Sequence, residues 1–245
     1  MPNALTPLRI AILAAIATLV AATTWLAVPA AVRQDQVRQP PDDTDTMLSK
    51  SCGERDDCLN GWTLTSRLGD MLAVYEKILG RRNPAYRLLG IEFTSGKRPG
   101  TWYPDYGNGL NDIIVRLTPA ARYNRNFALF QLGHEAFHLI EPIRPNSRGS
   151  FFEEGLASYF AVAYMNQIGA SGGARYIVGK HYKLAYDMIV NVANLHKSDF
   201  NARLRRLREL NRSFSRLTED DIRAAFPRAP AQVTRHLAQP FATAK

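Results

Sequence analysis

Residues 134–138 read H-E-A-F-H inside the run FALFQLGHEAFHLIEP. Three ionisable side chains in so apolar a stretch constrain the fold more than any other feature of the chain. Asn124 or Asn126 can cap a helix ahead of the run, and Pro142 cannot continue it. Phe127, Leu129, Phe130, Leu132, Phe137, Leu139 and Ile140 surround such a helix with apolar groups, so it is expected to be buried. His134 and His138 then stand one above the other on one face, about 6 Å apart along the axis. Polar groups taken into a core need partners, and a metal ion is one. Zinc bonds histidine nitrogen at about 2.0–2.1 Å, and a catalytic site keeps three protein ligands and one open position. Glu135, one step round the helix, is offset too far to ligate the same ion but can exchange a proton with a water there. A random H-E-x-x-H is expected about 0.004 times in a chain of this composition, which sets chance aside.

A third ligand can come from FFEEGLASYF, where Glu153 and Glu154 open the next helix. Ser150 and Glu153 form a capping-box pattern and Gly169 marks the far end. Glu154 shares a face with Ser158, while Glu153 shares one with Ala157 and Phe160. An exposed place at the positive end of the helix dipole suits Glu153 better than Glu154.

Taken together, His134, Glu135 and His138 followed by Glu154-Gly155-Leu156-Ala157 resemble the gluzincin metallopeptidases, over residues 112–165. The resemblance implies one Zn2+ per chain held by His134, His138 and Glu154, with Glu135 as general base and acid. It also implies hydrolysis of a peptide or protein substrate. The implied fold is a zincin-like domain in which a strand, here NDIIVRLTP, forms the edge along which substrate lies. Many gluzincins place an oxyanion-stabilising Tyr or His downstream, and Tyr176, His181, Tyr182 and Tyr186 are the candidates, expected on one helix. Arg144 stands where a metzincin would have its third histidine, which excludes that branch. Ser158 stands where thermolysin-like members carry an aspartate that orients a histidine. The short His138–Glu154 spacing points to a compact domain.

Elsewhere the chain reads as export followed by one globular unit. Between Arg9 and Arg33 no charged residue occurs, so residues 1–32 are expected to be a signal peptide or a single N-terminal membrane anchor. Either sends the remainder to the non-cytoplasmic side of the cell envelope, periplasmic or extracellular. Residues 33–50, polar and with a double proline, read as a linker, and 51–245 as the folded domain. Cys52 and Cys58, the two cysteines of the chain, are expected to pair as a disulfide in an oxidising compartment.

Within the domain, Thr65 or Ser66 can cap a helix through Leu79 that Gly80 ends, YRLLGIEF and DIIVRLTP read as strands, and three or four helices follow Ala174. This order favours an α+β fold with a small antiparallel sheet and a mostly helical C-terminal half. The net charge is +9, with Arg203, Arg205, Arg206, Arg208, Arg212 and Arg216 clustered. No nucleic-acid motif accompanies them, so a solvated helical face is expected and no nucleic-acid partner. Arg144 and Arg148 lie in the loop between the two metal-site helices and can favour an acidic substrate group. Two other readings share these residues: a non-catalytic zinc-stabilised domain that binds envelope polymers, and a metal-dependent amidase acting on cell-wall peptides.

Overall fold

The computed structural model describes residues 63–241, apart from 108, 143–148, 171 and 212. The segments expected as signal or anchor and as linker, the pair Cys52 and Cys58, and Arg144 and Arg148 all lie outside the described residues. Neither the membrane span nor the disulfide of the sequence reading stands among the described residues. No helix there is long and apolar enough to cross a membrane, and the described residues contain no cysteine and hence no disulfide.

The chain forms α1 (Leu64–Leu79), β1 (Tyr86–Phe93), β2 (Gly100–Trp102) and β3 (Asn111–Leu117). The helices α2 (Arg125–His138), α3 (Phe151–Gln167), α4 (Lys180–Leu195), α5 (Phe200–Asn211), α6 (Glu219–Ala225) and α7 (Ala231–Leu237) follow. This is an α+β architecture. Thr63, rather than Thr65 or Ser66, caps α1, because its hydroxyl accepts from the Ser66 amide while Ser66 returns a bond to the Thr63 amide. Leu68, Met71, Leu72, Tyr75 and Leu79 give α1 one buried stripe, and Gly80 ends the helix at a φ of 90°, where a side chain would be strained.

The sheet is mixed, which corrects the antiparallel expectation. Its order is β1-β3-β2, with β1 parallel and β2 antiparallel to β3. The connection between β1 and β3 is long enough to return the chain to the starting end, and β2 is a short strand inside that Gly- and Pro-rich segment. The strand NDIIVRL therefore lies at the centre of the sheet, with both backbone edges engaged, and β2 is an edge strand. Ile113, Val115 and Leu117 bury one face of β3 against the helices. At its end, buried Gln131 of α2 accepts from the Thr118 amide at 2.9 Å and donates to the Thr118 hydroxyl at 2.8 Å. This pair fixes the height of α2 against the sheet.

Two glycines set the spacing of the central helices. A Cβ on Gly133 would sit 3.0 Å from Ala161 Cα, and one on Gly155 would sit 2.6 Å from the Ala185 carbonyl oxygen. So α2 packs closely on α3, and α3 on α4, at the residues adjoining His134 and Glu154.

The arginine cluster also departs from expectation. Arg208 is largely buried and donates to the carbonyls of Leu79 (2.9 Å), Gly80 (3.0 Å), Arg81 (2.8 Å) and Ile140 (3.1 Å). Arg203 donates to the Ala225 carbonyl at 2.7 Å and pairs with Asp199. These two cations serve carbonyls at or just past helix ends, that of Ile140 shared with the Asn83 amide, and are not part of a merely solvated face.

Candidate metal centre

Helix α2 runs through the core, with Ala128, Leu129, Leu132, Ala136 and Phe137 buried along it. It carries His134 and Glu135 into that interior, at 7% and 4% exposure. One turn on, His138 reaches the same point as His134, their ring centroids 5.0 Å apart. From the facing side comes the first turn of α3, capped by Ser150, whose hydroxyl accepts from the Glu153 amide at 3.1 Å. The Phe151 amide, another free donor of that turn, finds the carbonyl of Gln239 at 3.0 Å.

His134, His138 and Glu154 each offer one ligand atom, and these atoms lie within 4.8 Å of one another. His134 Nε2 stands 3.3 Å from His138 Nε2 and 3.1 Å from Glu154 Oε2, and His138 Nε2 stands 3.8 Å from that oxygen. Ligand bonds of about 2.0–2.1 Å in a tetrahedral site set neighbouring donor atoms about 3.3 Å apart. Two of the three separations lie near that figure and the His138–Glu154 one is longer, so these residues could hold one small metal cation between them. The side chains of His138 and Glu154 keep 14% exposure each, so the cluster is not fully sealed from solvent.

The electrostatics follow from this packing. Burial pushes the Glu135 carboxyl above its usual value, against the opposing charges of His134 and His138 and with the help of Glu154. Burial works against a charged His138, but the Glu154 and Glu153 carboxylates outweigh it and hold this imidazole well above its usual pKa. Glu154 goes the other way, its burial outweighed by His138 and His134, and sits below the carboxylate range. The protein thus concentrates negative charge around two imidazole nitrogens, and a cation entering there competes with their protons.

The opposite ring nitrogens are engaged as well. His138 Nδ1 lies 3.0 Å from Glu153 Oε1, and Ser158 Oγ lies 3.4 Å from His134 Nδ1. Glu153 is not the exposed residue that the helix dipole suggested: it is 3% exposed. Its side chain turns to His138 instead of closing the capping box on Ser150, and its buried Oε2 has no hydrogen-bond partner among the described residues.

Among the four oxyanion candidates, Tyr182 stands beside the cluster, its ring 5.9 Å from that of His134. Burial, with the Glu154 and Glu135 charges, raises its pKa against the influence of Arg98, so the phenol keeps its proton. His181 turns towards Phe151 and Phe241. Tyr186, one turn further along α4, has its pKa raised by burial, with smaller contributions from Asp187 and Tyr159 rather than from the metal-site carboxylates. Tyr176 is not on α4; it ends the short turn Gly173–Tyr176, stacks on Phe127 at 5.6 Å and donates to Asn124 at 3.5 Å.

Two residues beyond the expected set join the site. Tyr103, just past β2, is buried enough for its pKa to rise and lies within electrostatic reach of His138 and Glu135; only the aromatic pair in an otherwise turn-rich TWYPDYG hinted at it. Phe241 packs on Tyr182 at 4.7 Å and on Phe151 at 4.9 Å, while its amide donates to Gly149 at 2.7 Å. Being so far along the chain, it carries no local signal. Compared with known proteins, the chain matches no family model, no curated sequence and no solved structure.

Proposed function

We propose that the protein is a zinc-dependent hydrolase of peptide bonds, of gluzincin type, with His134, His138 and Glu154 as the ligands. The observation that carries this reading is the spacing of the three donor atoms at 3.1, 3.3 and 3.8 Å, in a cluster that is not fully sealed from solvent. Zinc bound there supplies Lewis acidity, which makes water a competent nucleophile near neutral pH.

The chain's own residues account for the remaining needs of the reaction. Glu135, whose carboxyl is held above its usual pKa by burial, takes a proton from the attacking water and returns it to the departing amine. Tyr182, protonated and beside His134, donates a hydrogen bond to the carbonyl oxygen as charge develops on it. An extended peptide lies along β2 rather than β3, since β3 is paired on both sides. A site of purely structural use has no role for Glu135, which is what favours an enzyme over a zinc-stabilised binding domain.

The full chain, loaded with zinc and incubated with a quenched fluorescent peptide library, is expected to cleave it. Glu135→Gln is expected to keep the metal and lose about 10²–10⁴ of the rate. Equal rates in the two proteins contradict the mechanism. Absence of cleavage by the zinc-loaded parent, together with release of peptide stems from cell-wall material, moves the substrate to the amidase class.

A further inference from the structure

We infer that Glu153 is a positioning residue of the metal centre: its carboxylate holds the His138 ring and keeps the proton on Nδ1, leaving Nε2 free to ligate. This rests on the metal reading above and extends it to a residue that the two-helix ligand pattern does not include.

Geometry supplies the first support. Glu153 Oε1 lies 3.0 Å from His138 Nδ1, while His138 Nε2 points to Glu154 and His134. A carboxylate only accepts, so the proton in this contact belongs to Nδ1. That fixes both the tautomer and the rotation of the ring, the task that partners of ligating histidines perform.

The local sequence offers Glu153 another partner, which it does not take. At the third position after Ser150 its carboxylate could return a bond to the cap amide, yet it is buried against His138, with Oε2 unpartnered among the described residues. An unpaired buried carboxylate oxygen is costly, and the contact to His138 is the interaction that the rest of the side chain makes in exchange. The backbone is cleared for this arrangement. A Cβ on Gly149 would stand 3.2 Å from Glu153 Oε2 and 3.0 Å from Glu154 Oε1, so glycine leaves room for both carboxylates.

The two histidines are held unequally. His134 has Ser158 Oγ near its Nδ1, at 3.4 Å, a neutral and long contact. His138 has a buried carboxylate at a shorter distance. The charged support of this centre thus comes from the residue preceding the ligand glutamate, and it goes to the second histidine rather than the first.

The test uses the full chain and Zn2+ alone. Zinc affinity is measured by competition with a chromophoric chelator for the parent, Glu153→Gln, Glu153→Ala and Glu154→Ala. The expected order is parent, then Gln, then Ala, with Ala about 10- to 100-fold weaker than the parent and Glu154→Ala weaker still. Gln is intermediate because its amide oxygen keeps an acceptor but not the charge. In the zinc-loaded protein, the Nδ1–H proton resonance of His138 is expected far downfield. It should move upfield in Glu153→Gln while that of His134 stays, a change that a general loss of stability does not produce. If Glu153→Ala does not fold, the Gln variant and its His138 resonance carry the test. A parent that binds zinc, with variants at position 153 within twofold of it and the His138 resonance unmoved, overturns the positioning role and leaves the metal reading standing. A parent that binds no zinc overturns both.

Discussion

Gly155 faces the backbone of Ala185 so closely that a methyl group on it would lie 2.6 Å from the carbonyl oxygen and 2.7 Å from Ile189 Cγ1. The glycine after Glu154 is therefore what lets α3 settle on α4, and it is α4 that carries Tyr182. A backbone carbonyl cannot swing aside as a side chain can. Gly155→Ala is expected to lower stability by about 1–3 kcal/mol or more, measured as a shift of the urea midpoint. Gly69→Ala, whose Cβ would meet nothing within 4 Å, is the control and is expected to leave the midpoint unchanged or raised.

Arg208 ties the end of α1 and the end of α2 to α5 through four backbone carbonyls. Its planar fork reaches them from one side chain, which a lysine ammonium cannot do. Arg208→Ala is expected to cost about 1–3 kcal/mol in chemical denaturation, and Arg208→Lys to recover less than half of that. Full recovery by lysine would show that charge at the helix ends, not the fork, is what matters.

Much of the centre was legible in the sequence because its ligands sit close together in the chain. Helical spacing alone puts His134 and His138 on one face, and the EGLA stretch brings Glu154 opposite them. The sheet was less legible. The parallel pairing of β1 with β3 depends on β2, which has only three residues and is embedded among turn residues with no alternating pattern. Taking NDIIVRL as an edge strand failed for the same reason. Glu153 was misjudged because its local context, a capping box at a helix N-terminus, describes a residue facing water; only the approach of His138 from another helix gives it a buried partner. Arg203 and Arg208 looked like part of a charge run, and nothing local marks the carbonyls they serve.

Tyr182 and Tyr186 lie one turn apart on α4, yet only Tyr182 stands beside His134. Tyr182→Phe removes the hydroxyl while keeping the ring contact with Phe241. For peptide hydrolysis it is expected to lower kcat by about 10²–10³ with little change in KM, and Tyr186→Phe to leave both near the parent. An equal loss in the two variants would assign the effect to packing of α4.

Phe241 presses on Tyr182 and Phe151, and its amide holds Gly149. Truncating a buried phenylalanine typically costs about 3–5 kcal/mol. Phe241→Leu, which keeps most of the volume, is expected to cost far less and to lower hydrolysis through a looser Tyr182. Stability and kcat measured together on the Leu variant separate the two effects: unchanged kcat removes Phe241 from the support of the site.

The most direct measurement is the metal content of the purified full chain after exposure to Zn2+ and removal of excess ion, read by atomic absorption for the parent and for His134→Ala, His138→Ala and Glu154→Ala. Close to one zinc per chain is expected in the parent and a large loss in each variant, with the fold retained by circular dichroism. A parent that retains no zinc, or variants that hold as much as the parent, contradicts the assignment of the metal centre.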